Sequence, residues 1–147
     1  MIARFLCLSL LHCIIISPIT GSDELDRHLQ DLVNSPIDSI QVVEAERAYQ
    51  AFAQTGVKPD QCEEWIRATA TLLMAELRGL HTVYMGSVLL DLQTNAGLCP
   101  PPDNRWWHFI LGSAHFVARN YEEAIATYAQ IQKDANDANA FWLYAKA

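Results

Sequence analysis

Residues 105–136, RWWHFILGSAHFVARNYEEAIATYAQIQKDAN, constrain this chain more than any other stretch. Trp106, Ile110, Ser113 and Val117 recur at helical spacing and share one stripe, while Tyr121, Ala124 or Ile125, Tyr128 and Ile131 share another. Only Arg119-Asn120 stands between them as a tight turn. Asn120 is a good N-cap, and Glu123 three residues later completes a capping box. Helices joined so closely must fold back antiparallel, and Gly112 and Ala124 are small enough to let the backbones approach. The spacing predicts a helical hairpin.

The rest of the chain repeats that periodicity. Residues 22–33 read as a short helix with Leu25, Leu29 and Leu32 on one side. Ser35-Pro36 restarts the chain, serine as cap and proline at the first helical position. A helix over 39–55 follows, with Val42, Ala45, Tyr49 and Phe52 at helical spacing, and Gly56 ends it. Lys58-Pro59-Asp60 opens the next helix, with Asp60 and Glu63 as a second capping box. Its apolar surface is broad: Trp65, Ala68, Leu72 and Ala75 on one face, Ile66, Ala70, Leu73 and Leu77 on a neighbouring one. Such a helix should be central and touch neighbours on two sides. Gly79 permits a kink or a break, after which Leu80, Tyr84, Val88 and Leu92 continue a helix to about Thr94. Asn95-Ala96-Gly97 terminates it. Cys99-Pro100-Pro101-Pro102 is a stiff connector, and Asp103 or Asn104 caps the helix that enters the hairpin. Nothing reads as a strand, so the expected fold is all-α, built of antiparallel helical hairpins.

Residues 1–21 carry one charge, Arg4, then the apolar run FLCLSLLHCIII and SPITG before the acidic SDELD. This is the layout of a cleaved secretory signal, with an uncleaved N-terminal anchor as the alternative. The run is short for a membrane span, which needs about 20 residues. His12 before Cys13 does not fit the small residue of a lipobox. The remaining chain, 22–147, suits one all-helical domain, secreted or periplasmic. In an oxidising compartment its two cysteines, Cys62 and Cys99, are expected to be bridged. The formal charge of −7, which becomes −8 once Arg4 leaves, argues against nucleic acid, whose phosphates require a basic face. It permits a basic protein partner.

Catalytic patterns are missing: no Gly-x-Ser-x-Gly elbow, phosphate loop, His-Glu-x-x-His or dinucleotide fingerprint occurs. His108 and His115 lie two turns apart on one helix, about 10 Å by the rise per residue, too far to share a metal without a third element. Glu63-Glu64 and Glu122-Glu123 fall in first helical turns, where negative charge favours the helix dipole. No cofactor is expected. Trp106, Trp107 and His108 cluster at a helix entry. Adjacent positions are about 100° apart, so both tryptophans cannot point squarely into one core. Either one is an exposed interface anchor, or one packs inward while the other covers the proline run.

Two family resemblances bear on function. Leu111-Gly112, the run Asn120-Tyr121-Glu122-Glu123-Ala124-Ile125 and Tyr128 resemble the small and large positions of a tetratricopeptide repeat over 105–138. His108, His115, Ile131 and Asn136 depart from that pattern. The resemblance implies stacked helix-turn-helix units that bind protein or peptide in a concave groove. Residues Val83-Tyr84-Met85-Gly86-Ser87-Val88 and Gly97-Leu98-Cys99-Pro100-Pro101 are similar to small periplasmic immunity proteins of the Tai/Rap type. Those are helical, disulfide-containing blockers of cell-wall amidase toxins delivered by type VI secretion. The expected role is therefore non-enzymatic protein binding as an adaptor, with an immunity protein as the alternative. The expected partner face comprises Trp106, Trp107, His108 and His115, with Tyr121 near the turn. A homodimer through the helix begun by Asn139 would cover Ala138, Ala140, Phe141 and Tyr144.

Overall fold

The computed structural model describes residues 19–80, 85–99 and 104–133. These form six α-helices: α1 Ile19–Asn34, α2 Ser39–Thr55, α3 Cys62–Leu77, α4 Met85–Asn95, α5 Asn104–Val117 and α6 Tyr121–Lys133. A single turn of 3-10 helix, Pro59–Gln61, precedes α3, and no strand occurs among the described residues. The fold is all-α.

Helix α3 is the centre. Its residues from Ile66 to Ala75 are buried almost all the way round, Arg67 excepted, because α1, α2, α4 and α5 all pack on it. Both apolar faces read from the sequence are thus used, except that Leu77, the last residue of the second, is exposed. Helix α1 lays Leu25, Leu29 and Leu32 into the same core. It begins at Ile19, ahead of the start expected at Ser22 and inside the segment read as a leader. Helices α2 and α3 run antiparallel across their short connection, with Phe52 and Trp65 around one cavity near it and Ala45 and Ala68 around another farther away.

Two helix starts differ from expectation. Helix α2 is capped by Asp38, not Ser35. Asp38 Oδ1 accepts from the Gln41 amide at 2.8 Å and Gln41 Oε1 accepts from the Asp38 amide at 2.9 Å. Ser35-Pro36 therefore lies in the link, and Ile37 is buried just before the cap. Ile37 and Val42 occupy the positions of a hydrophobic staple. At α3, Pro59 nucleates the 3-10 turn and Asp60 falls inside it, so the expected Asp60/Glu63 box does not form. The Lys58 amide donates to Gln61 Oε1 instead at 3.2 Å, and Glu63 turns to Arg67 at 2.8 Å.

Helix α3 breaks rather than kinks. Gly79 adopts φ 80°, its amide donates to Glu76 O, and the Leu80 amide donates back to Ala75 O. This is a Schellman cap with glycine at the left-handed position. Next to it, the Arg78 guanidinium donates to Ser35 O at 2.6 Å, Leu32 O at 2.7 Å and Val33 O at 3.1 Å. One cation thus satisfies carbonyls that the end of α1 would otherwise leave open. Cys62 and Cys99 are bridged as expected, with Cα atoms 5.3 Å apart, tying the start of α3 to the turn after α4.

Helices α5 and α6 form the predicted hairpin. Phe116 meets Tyr121 beside the turn and Phe109 meets Tyr128 farther from it, as antiparallel packing requires. The turn is a second Schellman cap: the Arg119 amide donates to Phe116 O and the Asn120 amide to His115 O. Here the left-handed residue is Arg119, at φ 65°. Of the alternatives on the α6 stripe, Ala124 is buried and Ile125 is exposed. Residues 134–147, including the expected dimer face at Ala138, Ala140, Phe141 and Tyr144, lie outside the described residues, as does most of 1–21.

Candidate functional site

The hairpin tip presents the most distinctive apolar surface. Phe116 and Tyr121 are 48% and 53% exposed, and their rings meet edge to face with centroids 5.5 Å apart. One turn beyond Tyr121, Ile125 is 70% exposed. The capped turn brings the two rings together. Preordered aromatic surface of that kind loses little entropy on binding.

The five residues expected to face a partner divide. Trp106 is only 3% exposed and belongs to the core. It packs edge to face on Phe109, and its indole N–H donates to Asp26 on α1. It is not a surface anchor. Trp107, about 100° round the helix, is half-buried against the edge of the core. His108 and His115 are also half-buried, and His115 Nδ1 has no hydrogen-bond partner among the described residues. Tyr121 is exposed as expected. Its ring partner Phe116 went unread, although a large apolar residue off the Trp106–Ile110–Ser113 stripe was the available signal.

Two concave regions lie elsewhere. A groove of about 350 Å³ opens between α1 and α2 over α3, with Ala45, Ala48 and Ala68 below and His28, Glu44 and Arg67 around it. Arg67 is shared between Glu63 and Glu24, at 2.8 and 3.4 Å. Burial holds the His28 imidazole below its ordinary pKa, the Arg67 charge adds to that, and Asp31 partly offsets it. Farther along α2, toward Gly56, a cavity of about 190 Å³ is bounded by Tyr49, Phe52, Trp65, Asp91 and Asn95. The Tyr49 hydroxyl donates to Asp91 there. Burial raises the Tyr49 pKa, the Asp91 bond raises it further, and Ser87 acts against both.

Among the described residues no group of three or more His, Cys, Asp or Glu is placed to hold a metal, and no helix is long and apolar enough to cross a membrane. Of the segments expected to resemble immunity proteins, Val83, Tyr84, Pro100 and Pro101 lie outside the described residues; Gly86 and Ser87 are exposed and Cys99 is buried in its disulfide.

The fold and this surface define a disulfide-bonded, all-helical domain with an exposed aromatic hairpin tip. Compared with protein-family models, curated proteins and solved structures, the chain matches none.

Proposed function

We propose that this chain is a non-enzymatic, secreted or periplasmic helical module that binds a protein partner, in the manner of a tetratricopeptide-repeat adaptor. The observation that carries the reading is the Phe116–Tyr121 pair with Ile125 beside it, a preordered apolar patch on a strongly acidic chain. Tyrosine and phenylalanine in such positions contribute disproportionately to protein interfaces. Export is supported by the leader-like 1–21 and by the Cys62–Cys99 bridge, which persists in oxidising compartments.

Affinity capture from an envelope and secreted extract of the source cells tests this, with Tyr121→Ala and Ile125→Glu as comparisons. Both side chains are exposed, so circular dichroism should stay helical in each variant. The expected result is a partner retained by the unaltered chain and lost, or weakened at least about tenfold, with each variant. Retention by both variants rules out the hairpin tip.

A further inference from the structure

The cavity between α2, α3 and α4 has a chemistry of its own. Its walls include the aromatic residues Tyr49, Phe52 and Trp65, and Asp91 supplies a carboxylate. Asp91 is half-buried and accepts a hydrogen bond from the Tyr49 hydroxyl. No lysine or arginine among the described residues lies within ion-pair distance of it. A neutral donor satisfies one lone pair of the carboxylate but does not balance its charge.

We propose that this cavity binds an organic cation, the head of an alkylammonium or alkylguanidinium group, with Asp91 as counter-ion and the aromatic walls as its apolar and cation–π surround. At about 190 Å³ it is smaller than the roughly 300–1,000 Å³ of clefts that take drug-sized ligands, and so suits a single head group. Tyr49 is a positioning residue. Its hydroxyl holds Asp91, and burial keeps the phenol protonated as a donor. Asn95 also borders the cavity, and its side-chain amide donates to the Asp91 carbonyl at 2.9 Å, bracing the same turn of α4. The cation can come from a free small amine or from a lysine or arginine side chain of a basic partner. These sources share one chemistry. The cavity and the hairpin tip occupy different elements, so failure here leaves the proposed function standing.

Isothermal titration of the intact, oxidised chain separates the outcomes. One arm uses n-butylammonium and n-butylguanidinium against n-butanol; the other uses acetylated, amidated Gly-Gly-X-Gly-Gly peptides with X as Lys, Arg or norleucine. Saturable binding of either cationic source, at least about tenfold tighter than its neutral counterpart, is the expected result, and the tighter arm identifies the source. The preference should vanish in Asp91→Asn and be reduced but not lost in Tyr49→Phe, which keeps the charge and removes the hydroxyl that holds Asp91. Equal binding of neutral and cationic probes, no saturation in either arm, or an undiminished preference in a folded Asp91→Asn overturns the proposal. The comparison of charged and neutral probes on the unaltered chain decides even if Asp91→Asn does not fold.

Discussion

The ring of Tyr128 lies directly over Gly112: a methyl group at Gly112 would come within 2.6 Å of Tyr128 Cδ1 and Cε1. The tyrosine cannot swing away freely, because its hydroxyl is 3.0 Å from the Ser113 hydroxyl and its ring meets Phe109. Gly112→Ala should therefore destabilise the protein by about 1–3 kcal/mol through overpacking, outweighing the gain of roughly 1 kcal/mol in helix propensity. Urea unfolding read by circular dichroism measures it. Adding Tyr128→Leu to the variant should recover part of the loss.

The turn of the same hairpin carries an avoidable cost. Arg119 sits in the left-handed region at φ 65°, where a side chain is unfavourable by roughly 1–2 kcal/mol, while the equivalent place after α3 is taken by Gly79. Arg119→Gly should raise stability by about 0.5–1 kcal/mol after the entropy glycine loses on folding. Gly79→Ala should lower it by about 1 kcal/mol, since the alanine enters open space but a strained backbone. Thermal melts of the two variants should move in opposite directions.

Cys62 and Cys99 are 37 residues apart in the chain. Closing a loop of that size restricts the unfolded ensemble by roughly 4 kcal/mol in the chain-entropy model. The double variant Cys62→Ala/Cys99→Ala should unfold at lower denaturant, with a loss of about 2–4 kcal/mol. Circular dichroism of the reduced chain in the absence of denaturant should still be helical, because α3 is also held by its packing against α1, α2, α4 and α5.

His28 gives the fold a defined pH response. Its folded pKa lies below the ordinary value of 6.5, chiefly through burial and then through Arg67. Its contribution is therefore complete above pH 6.5. As the pH falls below that value, the unfolded chain takes up a proton that the folded chain resists, and stability declines. Denaturation midpoints at pH 7.5 and 5 should show a larger acid loss for the unaltered chain than for His28→Gln. An equal loss in both would remove His28 as the cause.

Helix positions were legible in the sequence where burial follows strict periodicity. Trp106, Ile110 and Ser113 are buried as their spacing demands, and so are Ala45, Tyr49 and Phe52. The choice between Ala124 and Ile125 was open because adjacent helical residues differ by only about 100° and either fits the stripe. The fold buries the small residue, Ala124, and leaves Ile125 exposed. Ser35-Pro36 is a stronger start signal than Asp38, yet Asp38 caps α2 because burying Ile37 shifts the entry by three residues. The cavity at Asp91 was not readable in advance. It joins residues of three helices, with Tyr49 and Asp91 separated by 42 positions, and no local pattern encodes that meeting. For Trp106 the sequence left inward and outward placements open. A half-buried partner for the indole N–H, Asp26 on a helix far away in the chain, decides between them.

The guanidinium of Arg78 gives α1 an unusual dependence on one end. Its three bonds reach Leu32, Val33 and Ser35, and Trp106 holds Asp26, so the last two-thirds of the helix carry its moorings. A peptidase cutting after Gly21 would remove the first 3 of 16 helical residues and none of those attachments. Maturation at that point would free a new amino terminus on a rod already fastened from its opposite tip.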